Sequence, residues 1–433
     1  MKAEIPNTRG FGAASWGLLD QAVSSLTNFA LTFLVARSLD TQGFGGFSLA
    51  FAAYLLALGL SRSVASDVLV VRFSGAAEEE WRAGVREAAG MALAVGLLAG
   101  AVSVAAGATW GGPAGAALVA MGIFFPGLLL QDTWRYAFFA AGRGGAAAAN
   151  DGVWAVTMGL GLLALASWGR PSASGFALIW GASGSVAALA GMAQARIVPR
   201  PSGARGWLPA HRDLASRFAA QFLVQTGSSQ AALYLIATLA GLPAVGGIRA
   251  AQVLLGPLNV VFLGTGLFAV PEASRHARRG ATGAVRRTGL LVSAVLSAAV
   301  TAWAVVVALL PARLGEAILR ENWAVARSFL APMALAMAAS GLSAGAAIVL
   351  RGLADARRSL LAAAFQGVLL MAAAALGATF GGGSGAAWAL AAALVLASIW
   401  WWGLAAVALR GARSNARVLG VQAPSIGWET QSP

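Results

Sequence analysis

From Phe11 onward the chain is a succession of apolar runs, many of about 20 residues or more, separated by short stretches rich in glycine, proline and arginine. A run of that length is what a helix needs to cross the hydrocarbon core of a bilayer. Inside that core the main-chain polar groups must be satisfied internally, so only helices and closed barrels span it. Barrel strands would be short and alternating, whereas these runs are long and continuous. The expected fold class is therefore an all-α polytopic membrane protein. Composition agrees: 58% of residues are hydrophobic and 11% charged, against about 25% charged in a soluble domain.

Allowing a few residues at each end, the runs resolve into twelve transmembrane helices: 11–37, 43–72, 88–110, 114–141, 147–168, 174–196, 214–240, 244–273, 286–311, 325–351, 358–380 and 385–409. Breaks fall at turn-forming sequence such as Gly111-Gly112-Pro113, Gly241-Leu242-Pro243 and Gly381-Gly382-Gly383. With the N-terminus in the cytoplasm, 23 of the 30 basic residues lie on cytoplasmic segments. Six (Arg37, Arg170, Arg249, Arg313, Arg320 and Arg327) lie on the other side, and Arg62 falls inside a span. That asymmetry places both termini in the cytoplasm. The net charge of +14 is this loop bias, and it points to no nucleic acid. Lys2 and Arg9 before an apolar run imitate a signal peptide. The run is too long, however, is interrupted by Asp20-Gln21, and has no clear small-residue cleavage site. It reads as a retained helix. With no cysteine, neither a disulfide framework nor a thiolate metal site is expected.

The first run carries a polar stripe, Asp20, Ser24, Thr27, Asn28 and Thr32, mostly at steps of three or four and so on one helix face. The pattern returns 201 residues later. Asp20 maps to Gln221, Ser24 to Gln225, Thr27 to Ser228, Asn28 to Ser229, Gly45 to Gly246 and Gly46 to Gly247. The offset implies two six-helix halves in the same orientation, 1–196 and 214–409, each opening with an equivalent cavity-lining helix. A proline- and arginine-rich cytoplasmic linker, 197–213, joins them, and a polar disordered tail, 410–433, follows. Parallel repeats around a central site are a known transporter plan.

Ionisable side chains inside the membrane are costly and so mark functional candidates. Asp20 is either an interhelical hydrogen-bonding group or a cavity position open to a proton or ligand. Arg62 lies ten residues, about 15 Å of helix rise, from Arg72, too deep to snorkel. It is either one member of a buried ion pair or a guanidinium facing an anion, since its fork matches phosphate and carboxylate. Asp67, five positions on, is about 140° around an α-helix and so faces a different neighbour. Asp132 and Arg135 are i and i+3 and can pair; Arg135 is near enough to the cytoplasm to snorkel. Arg249 and Gln252 share a face near the outer end of helix 8. Pro126, Pro257 and Pro332 are potential kinks. Glu78-Glu79-Glu80 reads as a solvated loop patch, His211 and His276 as loop residues remote from any metal, and Trp400-Trp401-Trp402 as lipid packing. No nucleophile–base pair, metal cluster or phosphate-binding loop is visible, so the expectation is a transporter with no cofactor rather than an enzyme.

DQAVSSLTNFALTFLVARSL (20–39) followed by GFGGFSLAF, QDTWRYAFFAAGR (131–143) followed by NDGVW, and GGIRAAQVLLGPLN (246–259) resemble the Wzx-like polysaccharide and O-antigen flippases of the multidrug/oligosaccharidyl-lipid/polysaccharide exporter superfamily. The resemblance covers nearly all of 9–410. It implies a bacterial inner-membrane protein for cell-surface polysaccharide biosynthesis that moves an undecaprenyl-diphosphate-linked oligosaccharide across the bilayer by alternating access. It further implies a central cavity lined by helices 1, 2, 4, 7, 8 and 10. Carried over residue by residue, Arg62, Arg135 and Arg249 would meet the diphosphate or acidic sugars. Gln221, Gln225, Gln252 and Asn28 complete the substrate-binding set, with Ser228 and Ser229 available to sugar hydroxyls. Asp20, Asp67 and Asp132 would couple transport to an H+ or Na+ gradient. The implied partners are the lipid-linked glycan, membrane lipid and a glycan polymerase machinery.

Two other readings stand beside it. A cation-coupled multidrug exporter of the same superfamily should have a net acidic cavity, whereas here acid and base roughly balance. A membrane-embedded glycan polymerase or ligase would normally carry a larger outside loop with reactive residues, and the loops here are short.

Overall fold

The computed structural model describes residues 27–168 and 171–418. Asp20 and Ser24 of the first polar stripe lie outside the described residues, as do Arg170 and residues 419–433. Among the described residues every regular element is helical. We label them α1 (27–38), α2 (Thr41–Phe73), α3 (Glu78–Trp110), α4 (Gly112–Ile123 and Phe125–Ala140), α5 (Gly144–Trp168) and α6 (Ala173–Ala195). There follow α7 (Arg212–Phe222, Leu223–Gly227 and Ser228–Ala240), α8 (Leu242–Leu255 and Leu258–Arg278), α9 (Thr282–Ala308) and α10 (Asn322–Gly352). The final helical stretch, Ala356–Val418, is divided at Gly382, where φ is 57° and ψ −145°, into α11 and α12. Among the described residues seven helices are long and apolar enough to cross a membrane, or nine when each bent pair counts as one span. The division at Gly382, the less apolar α7 and the partly described α1 complete the twelve expected. The protein is a multi-pass membrane protein.

Local chemistry sets the helix ends. Asp40, in extended backbone, accepts from Gly43 N at 2.8 Å and starts α2; Ser172 does the same for α6 through Gly175 N. α3 starts at Glu78, ten residues earlier than the apolar pattern suggested. Glu78-Glu79-Glu80 is thus not a loop patch but the first helical turn, where carboxylates meet the positive end of the helix dipole. Glu78 also pairs with Arg82 at 3.2 Å and with Arg143 at 3.1 Å. The tail begins later than expected, because helix continues through Val418.

Of the three prolines, Pro126 follows a 52° bend between the two parts of α4. α8 is interrupted just before Pro257, and α10 runs through Pro332 unbroken. The linker 197–213 is not irregular: it holds a 3₁₀ turn, Pro201–Gly203, and a helix, Ala204–Ala210.

The chain forms two compact units. One comprises Met1–Val253 with Pro311–Ser328 and Gly381–Gly383; the other comprises Leu254–Leu310, Phe329–Phe380 and Ser384–Pro433. In the first unit, Trp180 packs against Phe51, Tyr54 and Trp154 at ring separations of 5.6, 6.0 and 4.6 Å. Its most informative contact is between glycines. A Cβ on Gly45 would stand 2.2 Å from the Leu242 carbonyl oxygen, and one on Gly246 would stand 2.0 Å from the Thr41 carbonyl oxygen. Thr41 and Leu242 are themselves 201 residues apart, so the contact is reciprocal, as a pseudo-two-fold relation between α2 and the start of α8 requires.

In the second unit, α9 and α10 approach through small residues. A Cβ on Gly345 would meet the Gly289 carbonyl oxygen at 2.2 Å, and Ser293 and Ser297 donate to the Leu342 and Ala338 carbonyls at 2.9 Å each. The tryptophan triplet of α12 is only partly lipid packing. Trp401 donates to Gln366 Oε1 at 2.9 Å and Trp402 to the Leu342 carbonyl at 3.0 Å, while Trp400 is exposed. Large apolar side chains, among them Leu98, Leu163 and Val295, are left exposed on α3, α5 and α9.

Candidate functional site

The polar residues of α2, α4, α5 and α6 condense into one buried network in the first unit. The Arg62 guanidinium makes a bidentate pair with Asp132, Nε to Oδ2 at 2.9 Å and Nη2 to Oδ1 at 2.6 Å, and lies 5.4 Å from the Tyr136 ring centroid. Arg135 stands 3.6 Å from Asp132 and 3.1 Å from Asp151. Gln131 donates to Asp151 at 2.9 Å and to Asn150 at 3.1 Å. Asn150 in turn donates to the Ala187 carbonyl at 2.8 Å and to Gln194 at 3.2 Å. Two arginines face two aspartates, so the network is neutral. This is the ion-pair alternative for Arg62. It also corrects the expectation that Arg135 snorkels: Arg135 is buried, because Asp151 supplies a counter-charge inside the protein.

Beside the network lies a cavity of about 420 Å³ between α2 and α7. It is lined on one side by Arg62, Ser63 and Asp67 and on the other by Phe218, Gln221, Phe222, Gln225 and Thr226. The Arg62 side chain is 34% exposed, against 4% for Asp132, so its charge reaches the cavity while its partner does not. Asp67 was expected to face elsewhere, and the reason it does not is local. Arg62–Ser66 is a π-helical turn in which the Asp67 amide bonds to the Arg62 carbonyl. A π turn closes from i to i+5, so residues five apart share a face. A second π turn, Leu223–Gly227, carries Gln225 and Thr226 on the opposite wall.

Arg249 sits apart, on the first segment of α8. Its guanidinium is held by two amide oxygens, Gln252 Oε1 at 3.0 Å and Gln230 Oε1 at 3.4 Å. Among the described residues no carboxylate pairs with it. Asp67 likewise has no cationic partner within ion-pair distance among the described residues. Among the described residues the charged candidates therefore sort into a set neutralised together with Asp151 (Arg62, Asp132 and Arg135) and two without an ion-pair partner, Arg249 and Asp67.

Of the other candidates, Gln221 and Gln225 are exposed in the cavity wall, and Asn28 is half-buried on α1. Ser228 and Ser229 spend their hydroxyls on the Val224 and Thr226 carbonyls of their own helix. Asp20 lies outside the described residues. Sequence reasoning missed Gln131, Asn150, Asp151 and Gln194 as members of the network. The signal was a polar dipeptide, Asn150-Asp151, two turns into an otherwise apolar helix. It also missed Trp207, in the linker, which donates to the Val64 carbonyl inside the first π turn at 2.8 Å.

No protein-family model matches the chain, and no curated protein matches it. Solved structures do. An inward-facing multidrug-resistance MATE family transporter of the MOP superfamily superposes with a TM-score of 0.66 at 12% identity, covering 92% of this chain and 99% of the other. The lipid II flippase MurJ in an inward closed conformation gives 0.58 at 10% identity, covering 93% and 91%. An outward-facing MATE transporter gives 0.53 at 12% identity, covering 94% of each chain. The chain thus has the fold these proteins share.

Proposed function

We propose that this protein is a flippase for lipid-linked oligosaccharide, an undecaprenyl-diphosphate glycan, in bacterial cell-surface polysaccharide biosynthesis. In this reading it sits in the inner membrane with both termini cytoplasmic, two six-helix halves around a central cavity, and alternating access. The shared fold supports transport, since both kinds of structural neighbour carry transporter or flippase names. The observation that carries the substrate class is Arg249. A guanidinium held by neutral amide oxygens in a membrane helix, with no carboxylate beside it among the described residues, suits an anionic headgroup, because a desolvated diphosphate needs a cationic host. The glutamines of the cavity wall, Gln221 and Gln225, offer donors and acceptors to sugar hydroxyls, and the apolar Leu55, Leu58, Phe218 and Phe222 beside them tolerate a lipid.

Asp67 favours a second component. A carboxylate in the cavity wall with no cationic partner among the described residues suits a coupling cation, H+ or Na+. The same carboxylate also suits the multidrug-exporter reading, in which it would meet an organic cation.

One experiment separates these. In a host whose own surface-glycan flippase is deleted, the chain should restore glycan display. Arg249→Gln should abolish display at unchanged protein level, and Asp67→Asn should retain display while losing its dependence on the ion gradient. Full display with Arg249→Gln at equal protein level would overturn the assignment. Resistance to cationic dyes that depends on Asp67, without glycan display, would establish the exporter instead.

A further inference from the structure

Trp207 is where the linker meets the cavity. The linker lies along α2 and α3: the Arg200 amide donates to the Arg86 carbonyl at 3.0 Å, a Cβ on Gly90 would stand 2.1 Å from the Arg200 carbonyl oxygen, and Arg72 pairs with Asp213 at 2.8 Å. From the helix Ala204–Ala210 the linker sends Trp207, 1% exposed, in under α2. Its ring stacks on Phe73 with centroids 5.9 Å apart and meets His211 edge-on at 4.2 Å. Its Nε1–H donates to the Val64 carbonyl, in the middle of the π turn.

A π turn holds one residue more than the α turn it replaces, a local expansion that neighbouring contacts must hold, and the Trp207 donor on the Val64 carbonyl is such a contact. We infer that Trp207 is a positioning residue of the cavity: by donating to Val64 it holds the π turn, and the π turn is what puts Asp67 on the same wall as Arg62. With the donor gone, α2 returns to α spacing. The position four residues after Arg62, Ser66, then turns to the cavity, and Asp67 turns away. Docking of the linker thereby decides which side chain faces the site. The consequence for transport rests on the proposed function above; the geometric claim does not.

The test uses the absence of cysteine from the chain. Ser66→Cys and Asp67→Cys are labelled singly with a membrane-impermeant maleimide in membrane vesicles. With Trp207 present, position 67 should label and position 66, fully buried as serine, should not. Trp207→Phe keeps a ring for Phe73 and His211 and removes only the donor; it should reverse that preference, changing the ratio of labelling rates at least tenfold. Deleting Ala65 in the Trp207→Phe background shortens the spacing to four, which an α-helix accommodates on one face, and should restore labelling at the original Asp67 position. An unchanged ratio in Trp207→Phe overturns the inference. Where Trp207→Phe yields no folded protein, the deletion should restore it, and failure of that rescue overturns the inference equally. Glycan display in the same variants tests the other claim. A reversed ratio with full display leaves the positioning role standing and removes the cavity from the transport path.

Discussion

Removing a single carboxylate distinguishes the two classes of charged residue in the membrane. Asp132 compensates Arg62 and Arg135 at once and is 3% exposed. Breaking a buried pair by deleting one partner leaves an uncompensated charge and costs about 3–5 kcal/mol. Asp132→Asn should therefore lower the melting temperature of the detergent-solubilised protein sharply and reduce its level in the membrane. Asp67→Asn, which uncouples no pair among the described residues, should leave both nearly unchanged. Equal melting temperatures for the two variants would contradict a structural role for the network. The same reasoning reassigns Arg62. Its sequence position marked it as a guanidinium too deep to reach the cytoplasm, and that depth reading stands. Whether it faced an anion or an aspartate depended on a residue seventy positions away on another helix, which no spacing rule within α2 can supply.

Helix contacts carry the internal repeat into three dimensions. Gly45 and Gly246 occupy equivalent positions 201 residues apart, and each meets the main chain beside the other's helix start. Main-chain carbonyls cannot rotate away as a side chain would, so Gly45→Ala and Gly246→Ala should each destabilise by about 1–3 kcal/mol. The double variant should cost less than the sum, since one added Cβ already parts the helices and makes room for the second. Additive losses in thermal unfolding would show that the two glycines serve separate contacts. The buried Asn322 works at the same scale. It donates to the Ala36 and Leu39 carbonyls at 2.6 Å each and accepts from Thr41 at 2.8 Å, bridging the end of α1 and the start of α2. Nothing in its local sequence announces this, because its partners are more than 280 positions away.

At the scale of the whole chain, the linker is the connection whose state can be set from outside the membrane. His211 packs against Phe73 and Trp207, with Arg72, Asp213 and Glu87 as the charged groups around it. Burial, reinforced by Arg72, pushes its imidazole below the ordinary 6.5, while Asp213 and Glu87 oppose the shift. Docking therefore prefers the neutral ring. The sign follows from proton counting: the undocked linker binds more protons in the window below 6.5, so the stabilisation from His211 is complete above about pH 6.5 and is lost as pH falls through the docked value. Hydrogen exchange of the 204–211 amides should accelerate as pH is lowered from 7.5 to 5.5, beyond the intrinsic pH dependence of exchange. His211→Phe should remove that excess. An excess that persists in His211→Phe would overturn the assignment to His211.

What the chain order alone determined is whatever depends on residues near one another along a helix: the membrane class, the ends of most of the described helices to within a few residues, and the bend before Pro126. Apolar length and periodicity are local properties, and burial in lipid enforces them regardless of neighbours. α3 departed from its predicted start because a helix can extend beyond its apolar run when glutamates suit its first turn. Tertiary structure decided which charges are neutralised and which are not, and that Asp67 shares a wall with Arg62. The first depends on distant partners, and the second on a π turn that apolar length and periodicity do not announce. Asp132 and Asp151 set the charge balance from other helices, and Trp207, more than 140 residues beyond the π turn, meets it from the linker.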